Sequence, residues 1–600
     1  MSRSSIIGRI GRFLTGARVF TANALFVLLI LMLAALLLGG DDGIGVPDRA
    51  ALVLNPQGAI VEQEALGDPL SELLAPRDTA RESELRQILR AVEKAKDDTR
   101  ISTIVLDLDD LAAISTAHAE TIGKRLQEFR ASDKQVIAFG SYFSQGQYLL
   151  ASFADAVYLH PYGQFLPTGY GINNLYFNEL LNKLGINIHI FRVGKYKEFI
   201  EPYTRSSMSD EAREANQALV DALWRNYTSR VTENRGLAAH EFAAYVDDFA
   251  PRLEQVGGDM ARLALEHELV DELLTPDQAR ARIADRVGYD RDGNFSSIEY
   301  RDYLRAGGSE RAASGPGQIG VITARGPIMG GVNGRGVIAA DDLIELIRQA
   351  RQNEAVKALV LRIDSPGGSA FASELIRQEL ELTQLAGKPV VASMGNVAAS
   401  GGYWIAATAD AIYAQPTTIT GSIGIFGIVP TLEKSLAEIG VQSDGVGTTA
   451  LSRGMDPFSG INDVAARILQ ANVEHGYSRF LTLVARGREM TTEAVDAVAQ
   501  GRVWIGQSAK ELGLVDELGD LEDAIAGAAV LAGLEDYGVK HIARKLSAEE
   551  LLLKQLLNRV EKSSAVAGVT QTWQQLGHLL DTLNDPADAY ALCMTCNVRW

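Results

Sequence analysis

The sequence has 600 residues, which is too long for a single hydrophobic core, so we expect two or more domains. Hydrophobic residues make up 46% of the chain and charged residues 22%, an ordinary globular composition that excludes wholesale disorder. The formal net charge of −19 argues against nucleic acid as a partner, because phosphate contacts require a basic surface.

The N-terminal region predicts a membrane anchor. Residues 19–40 form an apolar, uncharged stretch that is long enough to cross a bilayer as a helix. Four arginines and no acid precede it, and Asp41 and Asp42 follow it, so the positive-inside rule places residues 1–18 in the cytoplasm and the rest of the chain outside. A cleavable signal peptide is the competing interpretation, but its apolar region is usually shorter, about 7–15 residues. We therefore expect a retained single-pass anchor.

An internal repeat divides the remainder of the chain into two similar halves. Residues 102–113 pair with residues 357–368, and Tyr148 matches Tyr403, each pair being 255 residues apart. The stretch 306–317 between the halves is rich in Gly and Ser, which is typical of a linker. Self-similarity at a fixed spacing predicts a tandem duplication of one fold.

Each half has the pattern of an α/β domain. Short β-branched runs alternate with longer segments of helical period, as in βαβ units whose parallel sheet is covered on both faces. We therefore predict an N-terminal domain over residues 47–305 and a C-terminal domain over residues 318–540. The remaining residues, 541–600, are predicted as a helical tail with an amphipathic helix over 546–563.

The C-terminal half carries a candidate nucleophile and a candidate oxyanion hole. Ser400 follows an apolar predicted strand and precedes two glycines, which leave its hydroxyl uncrowded. The Pro-Gly-Gly sequence at 366–368 predicts a turn whose backbone N–H groups suit the oxyanion of a tetrahedral intermediate. The simpler interpretations are an N-cap serine and a plain turn. At the position equivalent to Ser400, the N-terminal half has Gln145.

The candidate base comes from the other half. All eight histidines are isolated, so a lysine is the alternative, as in Ser-Lys enzymes. When the halves are aligned, Lys197 lies opposite Ala450, so one half has the serine without the lysine and the other the lysine without the serine. Apolar neighbours favour a neutral amine at Lys197, which could take the proton of Ser400. Lys195 would share a face with Lys197 on an extended chain, and spacing alone does not separate them.

Together these motifs resemble the bacterial signal peptide peptidase A family in its long, duplicated, membrane-anchored form. The motifs are DSPGGS at 364–369, NVAASGGYW at 396–404, TGSIGIFG at 420–427 and VGKYKEFIEPY at 193–203. The resemblance covers essentially the whole chain. It implies that each half has a Clp/crotonase-like fold.

The resemblance also implies a role for each candidate residue. The residues implied to act in catalysis are Ser400 as the nucleophile, Lys197 as the general base, Ser422 as a hydrogen-bond partner of the lysine amine, and the backbone at Gly368 and Gly401 as the oxyanion hole. The family pattern V-G-x-Y-K selects Lys197 over Lys195.

The activity that the resemblance implies is cleavage of spent signal peptides, and of other hydrophobic peptides, in the bacterial cytoplasmic (inner) membrane. It implies a homotetramer that has its catalytic domains on the periplasmic side and needs no cofactor or metal. Two other functions fit parts of the pattern: a non-catalytic membrane scaffold, and a crotonase-type acyl-CoA enzyme. The two cysteines, Cys593 and Cys596, are too few for a disulfide framework and receive no role.

Overall fold

The computed structural model describes residue 23 and residues 45–65, 82–307, 317–331, 336–544 and 590–593. Residues 1–18, the predicted anchor at 19–40 apart from residue 23, and the predicted helix at 546–563 lie outside the described residues, as does most of the predicted linker. Within the described ranges, no helix is both long and apolar enough to cross a membrane.

The N-terminal domain is an α/β domain. Its strands are β1 (Ala50–Leu54), β2 (Gly58–Val61), β3 (Glu82–Glu84), β4 (Ile101–Asp107), β5 (Leu111–Ala113), β6 (Gln135–Phe143), β7 (Ala156–Phe165), β8 (Asn187–Val193), β9 (Glu272–Leu273) and β10 (Ser297–Glu299). Its helices are α1 (Leu85–Asp97), α2 (Thr116–Arg130), α3 (Gln145–Ala151), α4 (Asn178–Lys183), the 3-10 turn Glu198–Ile200, α5 (Glu201–Thr204), α6 (Asp210–Arg235), α7 (Ala239–Asp247), α8 (Phe249–Gln255), α9 (Met260–Glu266), α10 (Pro276–Val287) and α11 (Tyr300–Ala306).

The C-terminal domain repeats this architecture. Its strands are β11 (Gln318–Arg325), β12 (Ile328–Met329), β13 (Ile338–Ala339), β14 (Val356–Ser365), β15 (Gly367–Ser369), β16 (Val390–Ala399), β17 (Ala411–Ala414), β18 (Ile419–Gly421), β19 (Ile425–Thr431), β20 (Met455–Asp456), β21 (Gly460–Ile461), β22 (Val503–Ile505), β23 (Glu517–Leu518), β24 (Gly538–His541) and β25 (Tyr590–Leu592). Its helices are α12 (Ala340–Gln352), α13 (Ala370–Leu385), α14 (Gly401–Ala406), α15 (Glu433–Glu438), α16 (Asp463–Gly487), α17 (Thr492–Val498), α18 (Gly506–Glu511) and α19 (Leu521–Leu531).

The two central sheets have the same strand order. Parallel strands run β10-β1-β4-β6-β7-β9 in the first domain and β24-β11-β14-β16-β17-β23 in the second. Strand β14 is buried almost throughout, as expected of a parallel strand covered on both faces. Individual hydrogen bonds repeat as well: the Tyr148 hydroxyl donates to the Leu269 carbonyl at 2.6 Å, and the Tyr403 hydroxyl to the Leu514 carbonyl at 2.8 Å. The predicted pair of α/β domains is therefore confirmed.

A third sheet joins the two domains. Its order is β13-β12-β15-β25-β19-β8, and β8 of the N-terminal domain pairs antiparallel with β19 of the C-terminal domain from Ile425 opposite Val193 to Thr431 opposite Asn187. Because β8 leads directly into the Lys197 segment, this pairing carries that lysine across the domain boundary.

A buried ion-pair cluster also connects the domains. Arg362 of β14 lies 2.5 Å from the Glu62 carboxylate, and the Nε2 atom of His118 lies 3.1 Å from the same carboxylate oxygen. Burial alone would raise the pKa of Glu62, but the charge of Arg362 and the hydrogen bonds hold it well below its usual range. Breaking such a pair would leave a buried charge without its partner, which is strongly destabilising.

The described part of the C-terminal tail is extended rather than helical. Within 541–600, residues Tyr590–Leu592 form β25, which lies between β15 and β19. Long-range backbone pairing with the Gly-Gly-Ser strand determines this conformation, and a local hydrophobic period cannot report such pairing. Cys593, which follows β25, is disulfide-bonded.

Candidate active site

Ser400 lies at the sharp junction between strand β16 and helix α14. Its backbone has φ 57° and ψ −113°, a sparsely populated conformation for a residue other than glycine. The turn is fixed by its backbone N–H, which donates to the Gly421 carbonyl at 2.8 Å. Ser400 occupies the N-cap position of α14, but its side chain makes no capping hydrogen bond.

The structure brings Lys197 and Ser400 together within one chain. The Nζ atom of Lys197 lies 2.7 Å from Oγ of Ser400, although the residues are 203 positions apart and in different domains. The same Nζ atom lies 3.1 Å from both Oγ and the carbonyl oxygen of Ser422. Lys197 is 1% exposed and Ser400 is 0% exposed. The serine and lysine that the two halves contribute separately therefore form one buried contact.

Burial determines the charge state of this lysine. Removal from water lowers the pKa of Lys197 to about 7, and the neighbouring Glu198 carboxylate opposes the shift only in part. A large fraction of the amine is therefore neutral near pH 7. A neutral amine can accept the hydroxyl proton of Ser400 at the observed distance.

Lys195 is placed differently. Its side chain is exposed, and its Nζ atom lies over the Tyr196 ring, 4.8 Å from the centroid. Lys195 and Lys197 belong to the same turn, but the side chain of Lys195 is exposed and that of Lys197 is buried. Of the two lysines that spacing left open, the structure puts only Lys197 against Ser400.

Glycines of the C-terminal domain make room for the Lys197 turn. A methyl group added at Gly501 would lie 2.7 Å from the Lys197 backbone nitrogen, and one added at Gly424 would lie 3.3 Å from its Cδ atom. The Tyr196 N–H donates to the Gln500 carbonyl at 2.9 Å, which fixes the turn on this surface. The sequence interpretation missed these residues, because nothing near Gly501 in the sequence indicates that another domain approaches it.

The candidate oxyanion-hole glycines also lie beside Ser400. Gly367 and Gly368 have φ values of +99° and +156°, which disfavour a side chain. A methyl group added at Gly367 would lie 2.6 Å from the Gly401 nitrogen, so the Gly-Gly strand packs directly on the start of helix α14. The predicted turn at 366–368 is thus the start of strand β15, next to the nucleophile.

No cluster of metal-ligating side chains is found among the residues that the structure describes.

Sequence comparisons define the class of protein that carries this site. The sequence model for "Peptidase family S49" matches residues 128–290 and 383–535, one segment in each domain. The chain belongs to this family, and it is a serine protease.

Named relatives extend the match over nearly the whole chain. "Protease 4" of Salmonella typhi is 39% identical over 607 residues, which cover 98% of this chain and 97% of that protein. "Protease 4" of Haemophilus influenzae is 36% identical over 587 residues, covering 95% of each chain. A "Putative signal peptide peptidase SppA" of Enterococcus faecium is 37% identical over 181 residues, covering 30% of this chain and 52% of that protein.

Proposed function

We propose that this chain is a membrane-anchored endopeptidase that uses a Ser-Lys dyad to degrade cleaved signal peptides. The observation that carries the proposal is the 2.7 Å contact between the Lys197 amine and the Ser400 hydroxyl. A nucleophile in hydrogen-bond contact with a base, and a base oriented by a third group, is the arrangement that covalent catalysis requires.

The proposed mechanism begins with the neutral amine of Lys197. It takes the hydroxyl proton as Ser400 Oγ attacks the substrate carbonyl carbon, and Ser422 holds the amine in position through its two acceptor oxygens. The backbone N–H groups of Gly368 and Gly401 stabilise the oxyanion. The lysine then donates its proton to the leaving amine, and water hydrolyses the acyl-enzyme by the same steps.

The proposed substrate follows from chemistry and relatedness. A released signal peptide is dominated by an apolar segment of about 7–15 residues, so a protease for it benefits from confinement at the bilayer. The predicted anchor at residues 19–40 would supply that confinement, with the N-terminus in the cytoplasm and both catalytic domains on the periplasmic side of the inner membrane. The Enterococcus relative is named for the same substrate class.

We also propose a homotetramer, supported by the internal repeat. Strand β8 pairs with β19 across the domain boundary within the chain. The repeat counterparts of these strands, residues 440–446 and 170–176, have no strand partner among the described residues, and they expose apolar side chains such as Val446 (100% exposed) and Leu175 (75%). If these two counterpart segments paired between one chain and the next, as β8 and β19 pair within the chain, successive chains would close into a ring.

The finer fold assignment belongs to this proposal as well. A Clp/crotonase-like fold in each half accounts for the duplicated parallel sheet and for a nucleophile at a strand-to-helix junction. Within that fold, the two alternative functions do not account for the Lys197–Ser400 contact. An acyl-CoA enzyme would not use the contact in its reaction, and a non-catalytic scaffold would not need it.

The test is peptide hydrolysis by the detergent-purified full chain. A fluorogenic hydrophobic peptide should be cleaved by the wild type, and Ser400→Ala and Lys197→Ala should each lower kcat by orders of magnitude while oligomeric size is unchanged. Lys195→Ala is the matched control, since it removes a lysine two positions away that does not contact the serine, and it should retain activity. Activity that survives in Lys197→Ala would refute the dyad.

A further inference from the structure

An arginine side chain connects the two domains beside the candidate active site. Arg502 immediately precedes strand β22, and its Cζ atom lies 4.5 Å from the ring centroid of Trp504 and 5.0 Å from that of Tyr196. Trp504 belongs to the C-terminal domain, and Tyr196 comes from the N-terminal domain. A guanidinium group is planar and stacks on aromatic faces, so these three side chains form one cation–π stack across the boundary. We call them the Arg502 stack.

The Tyr196 side of the stack holds the lysine turn. The hydroxyl oxygen of Tyr196 lies 3.3 Å from Nη1 of Arg502, and its backbone N–H donates to the Gln500 carbonyl at 2.9 Å. Both the ring and the backbone of Tyr196 are thus bound to residues 500–502. Because Lys197 is the next residue along the chain, the position of its amine depends on these contacts.

The backbone of Arg502 holds Ser422. Ser422 has a φ of 52°, a left-handed conformation that a serine rarely adopts, and its N–H donates to the Arg502 carbonyl at 2.7 Å. Antiparallel pairing of β18 with β22, in which Gly421 lies opposite Val503, leads directly into this bond. In this conformation the Oγ atom and the carbonyl oxygen of Ser422 both lie 3.1 Å from the Nζ atom of Lys197.

The Trp504 side of the stack lies against the turn of the nucleophile. A methyl group added at Gly421 would lie 2.9 Å from Cδ1 of Trp504, so the indole ring packs directly on this glycine. The Gly421 carbonyl accepts the N–H of Ser400 at 2.8 Å. The indole N–H of Trp504 donates to the Val498 carbonyl at 2.9 Å, which fixes the ring. The Arg502 stack therefore contacts the segments that carry the lysine, its hydrogen-bond partner and the nucleophile.

The charge of Arg502 is also paired, but in a more exposed place. Its Nη1 atom lies 2.8 Å from Oε1 of Glu214 on helix α6, and the two side chains are 20% and 59% exposed. An ion pair with so exposed a carboxylate contributes little, because water screens it. The stacking on two rings is therefore the contact that can fix the geometry.

We propose that Arg502 is a positioning residue of the dyad, which holds Lys197 through the Tyr196 ring and Ser422 through its own carbonyl. This inference rests on the proposed function. Arg502 is assigned no contact with the substrate or with the reacting atoms. Loss of the guanidinium group would release the Tyr196 ring and let water reach the amine of Lys197. Hydrolysis should then slow, and the amine should titrate closer to the range of an ordinary lysine.

Hydrolysis of the fluorogenic hydrophobic peptide by the detergent-purified full chain tests this role. Arg502→Ala should lower kcat about tenfold or more, leave KM within about twofold, and move the midpoint of the pH profile of kcat/KM upward by about one pH unit. Glu214→Gln is the matched control, because it removes the ion pair and leaves the stack, and it should keep the wild-type kcat and midpoint. An equal loss in Glu214→Gln would assign the effect to the ion pair and overturn the inference.

The pH profile separates positioning from a general loss of structure. If Arg502 only stabilised the fold, Arg502→Ala would contain less active enzyme, so kcat would fall while the midpoint stayed in place. That result would overturn the inference, as would a wild-type kcat in Arg502→Ala, and both would leave the proposed function standing. A wild type that hydrolyses no peptide would overturn the proposed function and this inference with it.

A second variant tests the same stack from the other domain. Tyr196→Ala removes the ring that Arg502 contacts, and it carries the test if Arg502→Ala does not fold. It should show the same loss of kcat and the same shift of the midpoint. The double variant should be no slower than the slower single variant, because both substitutions remove one interaction. Losses that multiply in the double variant would mean that the two residues act independently, and would overturn the inference.

Discussion

The charge state of Lys197 should set the pH dependence of hydrolysis. Burial lowers the pKa of its amine to about 7, from an ordinary value of 10.5. A general base acts in its neutral form, so activity should be low where the amine is protonated, below pH 7, and should rise as the pH passes through the pKa.

The size of the effect follows from the neutral fraction. With a pKa of about 7, roughly one eleventh of the amine is neutral at pH 6 and roughly ten elevenths at pH 8, so kcat/KM should increase about tenfold over that interval and level off above it. A lysine with an unperturbed pKa of about 10.4 would be only about 0.04% neutral at pH 7. Burial therefore raises the neutral fraction of the Lys197 amine at pH 7 by roughly three orders of magnitude.

The assay is kcat/KM between pH 5 and pH 10 with a fluorogenic peptide that has no titrating group. Lys197→Arg is the control, because a guanidinium stays charged over this whole range and should be inactive throughout. A profile that still climbs tenfold per pH unit beyond pH 9 would mean that the lysine is not perturbed. A flat profile from pH 5 to pH 9, with chemistry rate-limiting, would remove lysine as the base.

Two further predictions concern the contact between the domains. Gly501→Ala should lower kcat at least tenfold, because its methyl group would meet the Lys197 backbone at 2.7–2.8 Å; Gly533→Ala, also at positive φ but with nothing within 4 Å, should retain activity. Equal activity of the two variants would contradict this account of the lysine turn. Glu62→Gln should destabilise the protein by about 3–5 kcal/mol and lower the thermal unfolding midpoint, because it leaves a buried arginine without its counter-charge. Asp277→Asn, at an exposed ion pair, should leave the midpoint unchanged, and a similar small effect of Glu62→Gln would refute the reasoning.

The internal repeat is the reason why the serine and the lysine could be paired from the sequence. Spacing along the chain does not connect Ser400 with Lys197, because the two are 203 residues apart, and the family pattern V-G-x-Y-K was needed to select Lys197 over Lys195. Comparison of the halves showed that the C-terminal half has the serine without the lysine and the N-terminal half has the lysine without the serine. The structure places the two side chains in contact. The α/β class was predictable for a similar reason, because its signal lies in the hydrophobic pattern of single strands and helices.

Features that depend on contacts distant in sequence were not predictable. Gly501 has the same chemistry as any loop glycine, and its importance arises only because the Lys197 turn packs against it. The tail strand at Tyr590–Leu592 is three residues long and carries no period of its own. Its conformation is imposed by strands β15 and β19, which lie more than 150 residues earlier in the sequence.

Because Lys197 and Ser400 belong to different domains, hydrolytic activity depends on how the two domains pack against each other. Lys197 reaches Ser400 only because β8 pairs with β19 and the Lys197 turn rests on Gln500 and Gly501. A shift of about 1 Å between the domains would lengthen the 2.7 Å contact beyond hydrogen-bond range while leaving the helices and the central sheet of each domain intact. Perturbations of the buried Glu62 cluster should therefore reduce hydrolysis at temperatures where the secondary structure is still complete. A single-domain site, with both groups on one sheet, would instead lose activity only when that sheet unfolds.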